Sequence, residues 1–91
     1  MVVKMYVLLV YDIGEDRVAK VLRSCRCYLN WVQNSVFEGE ITKGKLKELM
    51  GKLKKIIDKK EDSILVYRLP NENVFKKEVI GLEKNPIDVI I

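Results

Sequence analysis

The run Met5 to Val10 (MYVLLV) constrains the fold most. It is apolar without a clean alternation, so as a strand it has to be buried on both faces. The run then stops at Tyr11-Asp12-Ile13-Gly14. A carboxylate at the mouth of a buried strand is a place where a divalent cation can be held. There the strand fixes the backbone while the side chain reaches solvent.

The rest of the chain falls into elements around that strand, which is expected over Lys4 to Tyr11. Glu15 to Tyr28 reads as a helix with acids in its first turn, favourable to the dipole. Val18, Val21, Leu22 and Cys25 form its inward stripe, and Arg17, Lys20 and Arg23 line the outside. Trp31 to Ile41 is β-rich, either a hairpin turning at Asn34-Ser35 or one bent strand. Thr42 suits the N-cap of a second helix running to about Lys59, with Leu46, Leu49, Met50, Leu53 and Ile57 inward. Gly51 weakens that helix by about 1 kcal/mol relative to Ala, and close packing is one reason for a glycine there. Asp62 to Leu69 is expected as a strand stopped by Pro70, Val74 to Ile80 as a fifth and Ile87 to Ile91 as a sixth.

That order predicts a single domain over 1–91, a ferredoxin-like α+β sandwich with both helices on one face of an antiparallel sheet. The sheet carries apolar residues on both faces, and two helices can cover only one. An uncovered apolar face is a large exposed patch. The simplest cover is a second copy placed by two-fold symmetry, so a homodimer is expected. The segment from about residue 70 to 91 is placed to cross over and pair with the partner.

Composition narrows the chemistry. The 91 residues contain no His, which removes Ser-His and Cys-His nucleophiles, imidazole bases and imidazole zinc ligands. The two cysteines, Cys25 and Cys27, diverge by about 200° on one helix and make a poor disulfide. Cys25 is assigned to the core. No apolar stretch reaches the roughly 20 residues needed to span a bilayer, and no cleavable signal is read, so a cytoplasmic location is expected. The net charge of +4 leans toward polyanion partners, although a lysine-rich solvated surface explains it equally well.

Asp12 leads the candidates for chemistry. It suits a Mg²⁺ ion that keeps most of its waters, and equally suits a turn before the first helix. Two Asp12 residues meeting across a dimer axis make a better metal site than one. Tyr11 is expected to orient Asp12 or a phosphate, Ser35 to bind phosphate or close a turn, and Phe37 to stack on a base or join the core. Glu15, Asp16 and Glu38 are weaker carboxylate candidates. Arg17, Lys20, Arg23, Arg26 and the lysines of both helices form a surface that would bind phosphates rather than read bases.

Three blocks in order give the chain a family resemblance. They are the strand ending at Tyr11-Asp12-Ile13, Arg17-Val18-Ala19 opening the first helix, and Trp31-Val32-Gln33-Asn34-Ser35-Val36-Phe37-Glu38-Gly39. Together they resemble the small CRISPR-associated endoribonuclease family, partners of the CRISPR integrase in spacer acquisition. The resemblance implies a ferredoxin-like homodimer in which Asp12 of each copy faces a shared cleft and holds Mg²⁺ or Mn²⁺. It implies metal-dependent endonuclease activity on RNA or DNA, with Asp12 as metal ligand, Tyr11 and Arg17 as phosphate contacts, and Ser35 and Phe37 in the cleft. Other readings stand beside it. One is a catalytically inactive structural bridge for the integrase, and another is a ribonuclease toxin of the virulence-associated protein D type.

Overall fold

The computed structural model describes residues 4–74 and 78–81 of the chain. The elements run β1 (Lys4–Asp12), α1 (Glu15–Arg26), β2 (Asn30–Gln33), β3 (Val36–Thr42), α2 (Lys43–Ile56) and β4 (Ser63–Leu69). A short 3₁₀ turn, Glu72–Val74, follows. The antiparallel sheet has the order β2-β3-β1-β4, the ferredoxin-like arrangement.

The apolar run Met5 to Val10 lies in the inner strand β1, between β3 and β4. Leu9 lies opposite Phe37 on one side and Val66 on the other, while Val7 faces Gly39 and Arg68. Its alternate residues Val7, Leu9 and Tyr11 enter one core with Phe37, Ile41, Val21, Cys25, Leu46, Leu49 and Leu53. Val7, Leu9, Val21, Phe37 and Leu49 are fully buried. Each such side chain contributes about 1.5–3 kcal/mol over its exposed state.

The other face carries Tyr6, Leu8, Val10 and Asp12 from β1, with Leu65 and Tyr67 directly across on β4. Leu65 and Tyr67 are each 51% exposed, so the apolar side expected to lack a helical cover is open at β4. Tyr6 is buried there and its hydroxyl donates to Glu38 Oε2 at 2.6 Å.

Local chemistry sets the element ends. Thr42 caps α2 as expected, its Oγ1 accepting from the Lys45 N–H at 3.2 Å. That helix stops at Ile56, three residues before the expected end, because Ile57 turns extended and opens the loop to β4. Ile57 still packs against the core, which is why the helical spacing ran on through it. The first helix ends at Arg26, two residues early. Among the described residues Gly51 has nothing within 4 Å of where a Cβ would stand, so close packing among them does not account for it.

Residues 30–42 form a hairpin, resolving the two readings of that block. It turns at Asn34-Ser35, with Asn34 in the left-handed region at φ 38°, a conformation Asn adopts more readily than most residues. Gly39, at φ 156° and buried opposite Val7, has its missing side chain replaced by Asn30, whose Nδ2 would stand 3.3 Å from a Cβ. The expected fifth strand over 74–80 is corrected where the residues are described. Pro70 ends β4, the Asn71 side chain accepts from the Asn73 N–H at 2.9 Å, and Val74 lies in the 3₁₀ turn. Glu78 to Ile80 are not in a strand. The expected sixth strand and most of the expected dimer-crossing segment lie outside the described residues.

Candidate functional site at the mouth of β1

Asp12 is the last residue of β1, in register with Ser63 of β4. Strand alternation puts its side chain on the open sheet face, following Leu8 and Val10. It is exposed, and among the described residues its carboxylate has no hydrogen bond or ion pair. Its oxygens are free to take a cation.

Tyr11 points the other way. Its ring is buried, its hydroxyl donates to the Asn34 carbonyl at 2.7 Å, and burial raises its pKa above the ordinary 10.0. The same carbonyl accepts from Trp31 Nε1 at 3.0 Å. Tyr11 therefore anchors the hairpin turn beside the site and does not orient Asp12 or a phosphate, correcting that expectation. Ser35 lies in the turn, and its carbonyl accepts from the Tyr11 N–H at 3.0 Å, which continues the β1–β3 pairing by one position. Phe37 is 0% exposed, with its ring 6.0 Å from that of Tyr11. It is a core residue under the site, and no base can stack on it in this structure.

Arg17 is likewise reassigned. Its Nε and Nη2 meet the two Asp62 oxygens at 2.6 and 2.9 Å, and Nη1 reaches Asp16 at 3.1 Å. Asp62, whose side chain is wholly buried, also accepts from the N–H groups of Gly14 at 2.9 Å and Asp58 at 2.8 Å. These bonds, those from Arg17 foremost, hold the Asp62 carboxyl well below the usual carboxylate range despite its burial. The same contact pushes the Arg17 guanidinium up. Asp62 thus ties the start of α1 to the loop before β4, immediately behind Asp12. The sequence reading missed it as a functional residue, since its partners Gly14 and Arg17 are 48 and 45 positions away.

The weaker carboxylate candidates do not join Asp12. Glu38 bonds Tyr6 and sits opposite Leu8, four residues and about 13 Å along the strand from Asp12. Asp16 is held by Arg17, and Glu15 is exposed. No group of three His, Cys, Asp or Glu that could enclose a metal occurs among the described residues. One free carboxylate still fits Mg²⁺, which keeps several waters and binds through one or two carboxylates together with substrate phosphates.

Lys20 and Arg23 are exposed on α1 and, with Ser24, Cys27, Lys52 and Ile56, line a shallow groove of about 440 Å³ between the helices. Arg26 stacks over Trp31 at 5.4 Å instead of facing outward alone. Cys25 is buried, which pushes its thiol up to about 12 and leaves it inert. No helix among the described residues is long and apolar enough to cross a membrane.

Comparison with known proteins bears on the family and the fold. Residues 5–77 match the family model for CRISPR associated protein Cas2. The chain is 51% identical over 87 residues to CRISPR-associated endoribonuclease Cas2 of Methanocaldococcus jannaschii, covering 96% of this chain and 76% of that protein. It is 46% identical over 91 residues to the protein of that name from Methanothermobacter thermautotrophicus, covering both in full. Among solved structures, a crystal structure of Cas2 superposes with a TM-score of 0.85 at 45% identity, covering 97% of this chain and 99% of the other. Streptococcus pyogenes Cas2 gives 0.71 at 34% identity, covering 82% and 99%. By sequence and by fold, the chain belongs to the CRISPR-associated Cas2 family.

Proposed function

We propose that this chain works in CRISPR adaptation as a nucleic-acid-binding homodimer that carries a Mg²⁺-dependent endonuclease site at Asp12. The observation that carries the reading is the free, exposed carboxylate of Asp12 on the uncovered apolar face of the sheet. Relatives about half identical to the chain bear the name endoribonuclease, which supports the same reaction class here.

The open face supports the dimer. Leu65, Tyr67, Leu8 and Val10 present apolar surface that a second copy would take out of water. Face-to-face packing turns both Asp12 side chains toward the joint between copies and supplies the second carboxylate that one chain lacks. Mg²⁺ or Mn²⁺ held by Asp12 would activate water and offset charge on a phosphodiester oxygen. The chain's own part is to fix that carboxylate: β1 sets its backbone, the Arg17–Asp62 clamp braces the loop behind it, and Tyr11 pins the neighbouring turn. Lys20, Arg23 and Lys52 would hold the phosphate backbone, and the CRISPR integrase is the expected protein partner.

A second reading, the inactive bridge for the integrase, draws on the absence of a three-ligand cluster among the described residues. Incubation with labelled single-stranded RNA and duplex DNA, with Mg²⁺ and then with a chelator, tests the proposal. Cleavage that needs the metal, from a species sizing as a dimer, is the expected result. A monomer at micromolar concentration removes the dimer, and absence of cleavage on either substrate leaves the bridge.

A further inference from the structure

The helix α2 carries lysines on all its exposed sides, yet they do not share one fate. Lys45 lies 4.0 Å from Glu48, and Lys52 sits over the Tyr28 ring at 5.1 Å. Lys43, Lys47 and Lys54 have no carboxylate partner among the described residues. These three line one groove of about 460 Å³ with Met50, Gly51 and Arg68, and no acidic residue among the described ones lines it. Arg68 comes from β4, and its only described side-chain bond is to Met50 Sδ at 3.8 Å.

The groove floor explains the glycine that packing does not. Gly51 stands between Lys47 and Lys54, in the second half of the helix, with open space where a side chain would project. A glycine there weakens the helix and gains no packing, but it leaves the space between the cations clear. Along the axis Lys43, Lys47 and Lys54 span about 16.5 Å. At about 3.4 Å per nucleotide of one duplex strand, that is some five phosphates.

We propose that this groove between α2 and β4 is a second phosphate-backbone site, separate from the Asp12 cleft, that seats nucleic acid without cutting it. Its position supports the separation. Arg68 is in register with Val7, five residues and about 17 Å along the sheet from Asp12, and belongs to the helix-bearing side. Asp12 opens on the other side. The proposal rests on the reading that the protein binds nucleic acid, and it adds where a strand outside the cleavage site would lie.

The test measures binding of a labelled DNA duplex of arbitrary sequence by anisotropy, without divalent metal, between about 50 and 200 mM salt. Replacing Lys47, Lys54 and Arg68 together by Gln should weaken binding at least tenfold and lower the slope of log K against log salt by about 2 to 3. Gly51→Glu adds a check that misfolding cannot mimic. It should raise the melting temperature, since it removes a helix glycine in open space, and still weaken duplex binding. A parent that binds neither this duplex nor labelled single-stranded RNA removes the nucleic-acid reading itself, and one that binds only the RNA overturns the duplex groove. A parent that binds, with both variants keeping its affinity and slope, overturns the groove alone. Polyglutamate binding as tightly as the duplex, with the same dependence on the three cations, would overturn it in favour of an acidic protein segment.

Discussion

Asp12, the last residue of β1, and Asp62, in the loop just before β4, lie at the same end of the sheet, yet their surroundings are opposite. Asp12 is exposed, with no side-chain partner among the described residues. Asp62, the residue just before Ser63 opposite Asp12, is buried and accepts four hydrogen bonds from Arg17, Gly14 and Asp58. The contrast separates holding from acting. A carboxylate whose lone pairs are filled by backbone and guanidinium donors organises the fold, and one with empty lone pairs is available to metal or substrate. Arg17 falls on the holding side for the same reason.

The largest loss of stability should follow Asp62→Ala, which leaves Arg17 and the Gly14 and Asp58 N–H groups without their acceptor. Thermal melting checks it, and a variant that melts with the parent would break the contrast. Phe37→Ala comes next, with a loss of about 3–5 kcal/mol by denaturant unfolding for a fully buried aromatic. Phe37→Leu should keep nucleic-acid affinity, because the ring is core and not cleft.

Acid sharpens the same comparison. Asp62 is depressed when folded, so its contribution is complete above the ordinary value of 3.8 and is lost as pH falls toward its lowered folded value. Stability of the parent should therefore fall with acidification below about pH 4, and Asp62→Asn should show a shallower acid limb in pH-dependent unfolding. A smaller effect is expected at the hairpin. Asn34→Val forces a β-branched residue into the left-handed region and should cost about 1–2 kcal/mol, while Asn34→Gly should be close to neutral. Asp12→Asn should change stability least, within about 0.5 kcal/mol, as befits an exposed group with no side-chain partner among the described residues.

What the sequence made legible follows from the range of each interaction. Both helices could be read from local periodicity, the inner strand from its unbroken apolar run, and the uncovered face from two helices being able to cover only one side; Asp12 stood out as a charge ending that run. The Arg17–Asp62 clamp was not legible, since its halves are 45 positions apart, and Arg17 was read as a phosphate contact and Asp62 as the first residue of a strand. Tyr11 was read toward the cleft because adjacency to Asp12 in sequence ignores strand alternation, and Phe37 because the family resemblance implied it. In the structure both point into the core. The end of α2 was overrun because Ile57 continues the apolar stripe after the backbone has left the helix.

Cleavage at this site depends most directly on the charge of Asp12 if Asp12 holds the metal. Parent and Asp12→Asn, purified alike, should be compared for Mg²⁺-dependent cleavage of labelled RNA and DNA, with binding and dimerisation measured on the same samples. The expected result is cleavage slowed by about 10² or more, the scale on which removing one charge-stabilising group acts, with binding, dimer size and melting temperature unchanged. An Asp12→Asn protein that cuts at the parent's rate would contradict the assignment and leave the dimer as a scaffold.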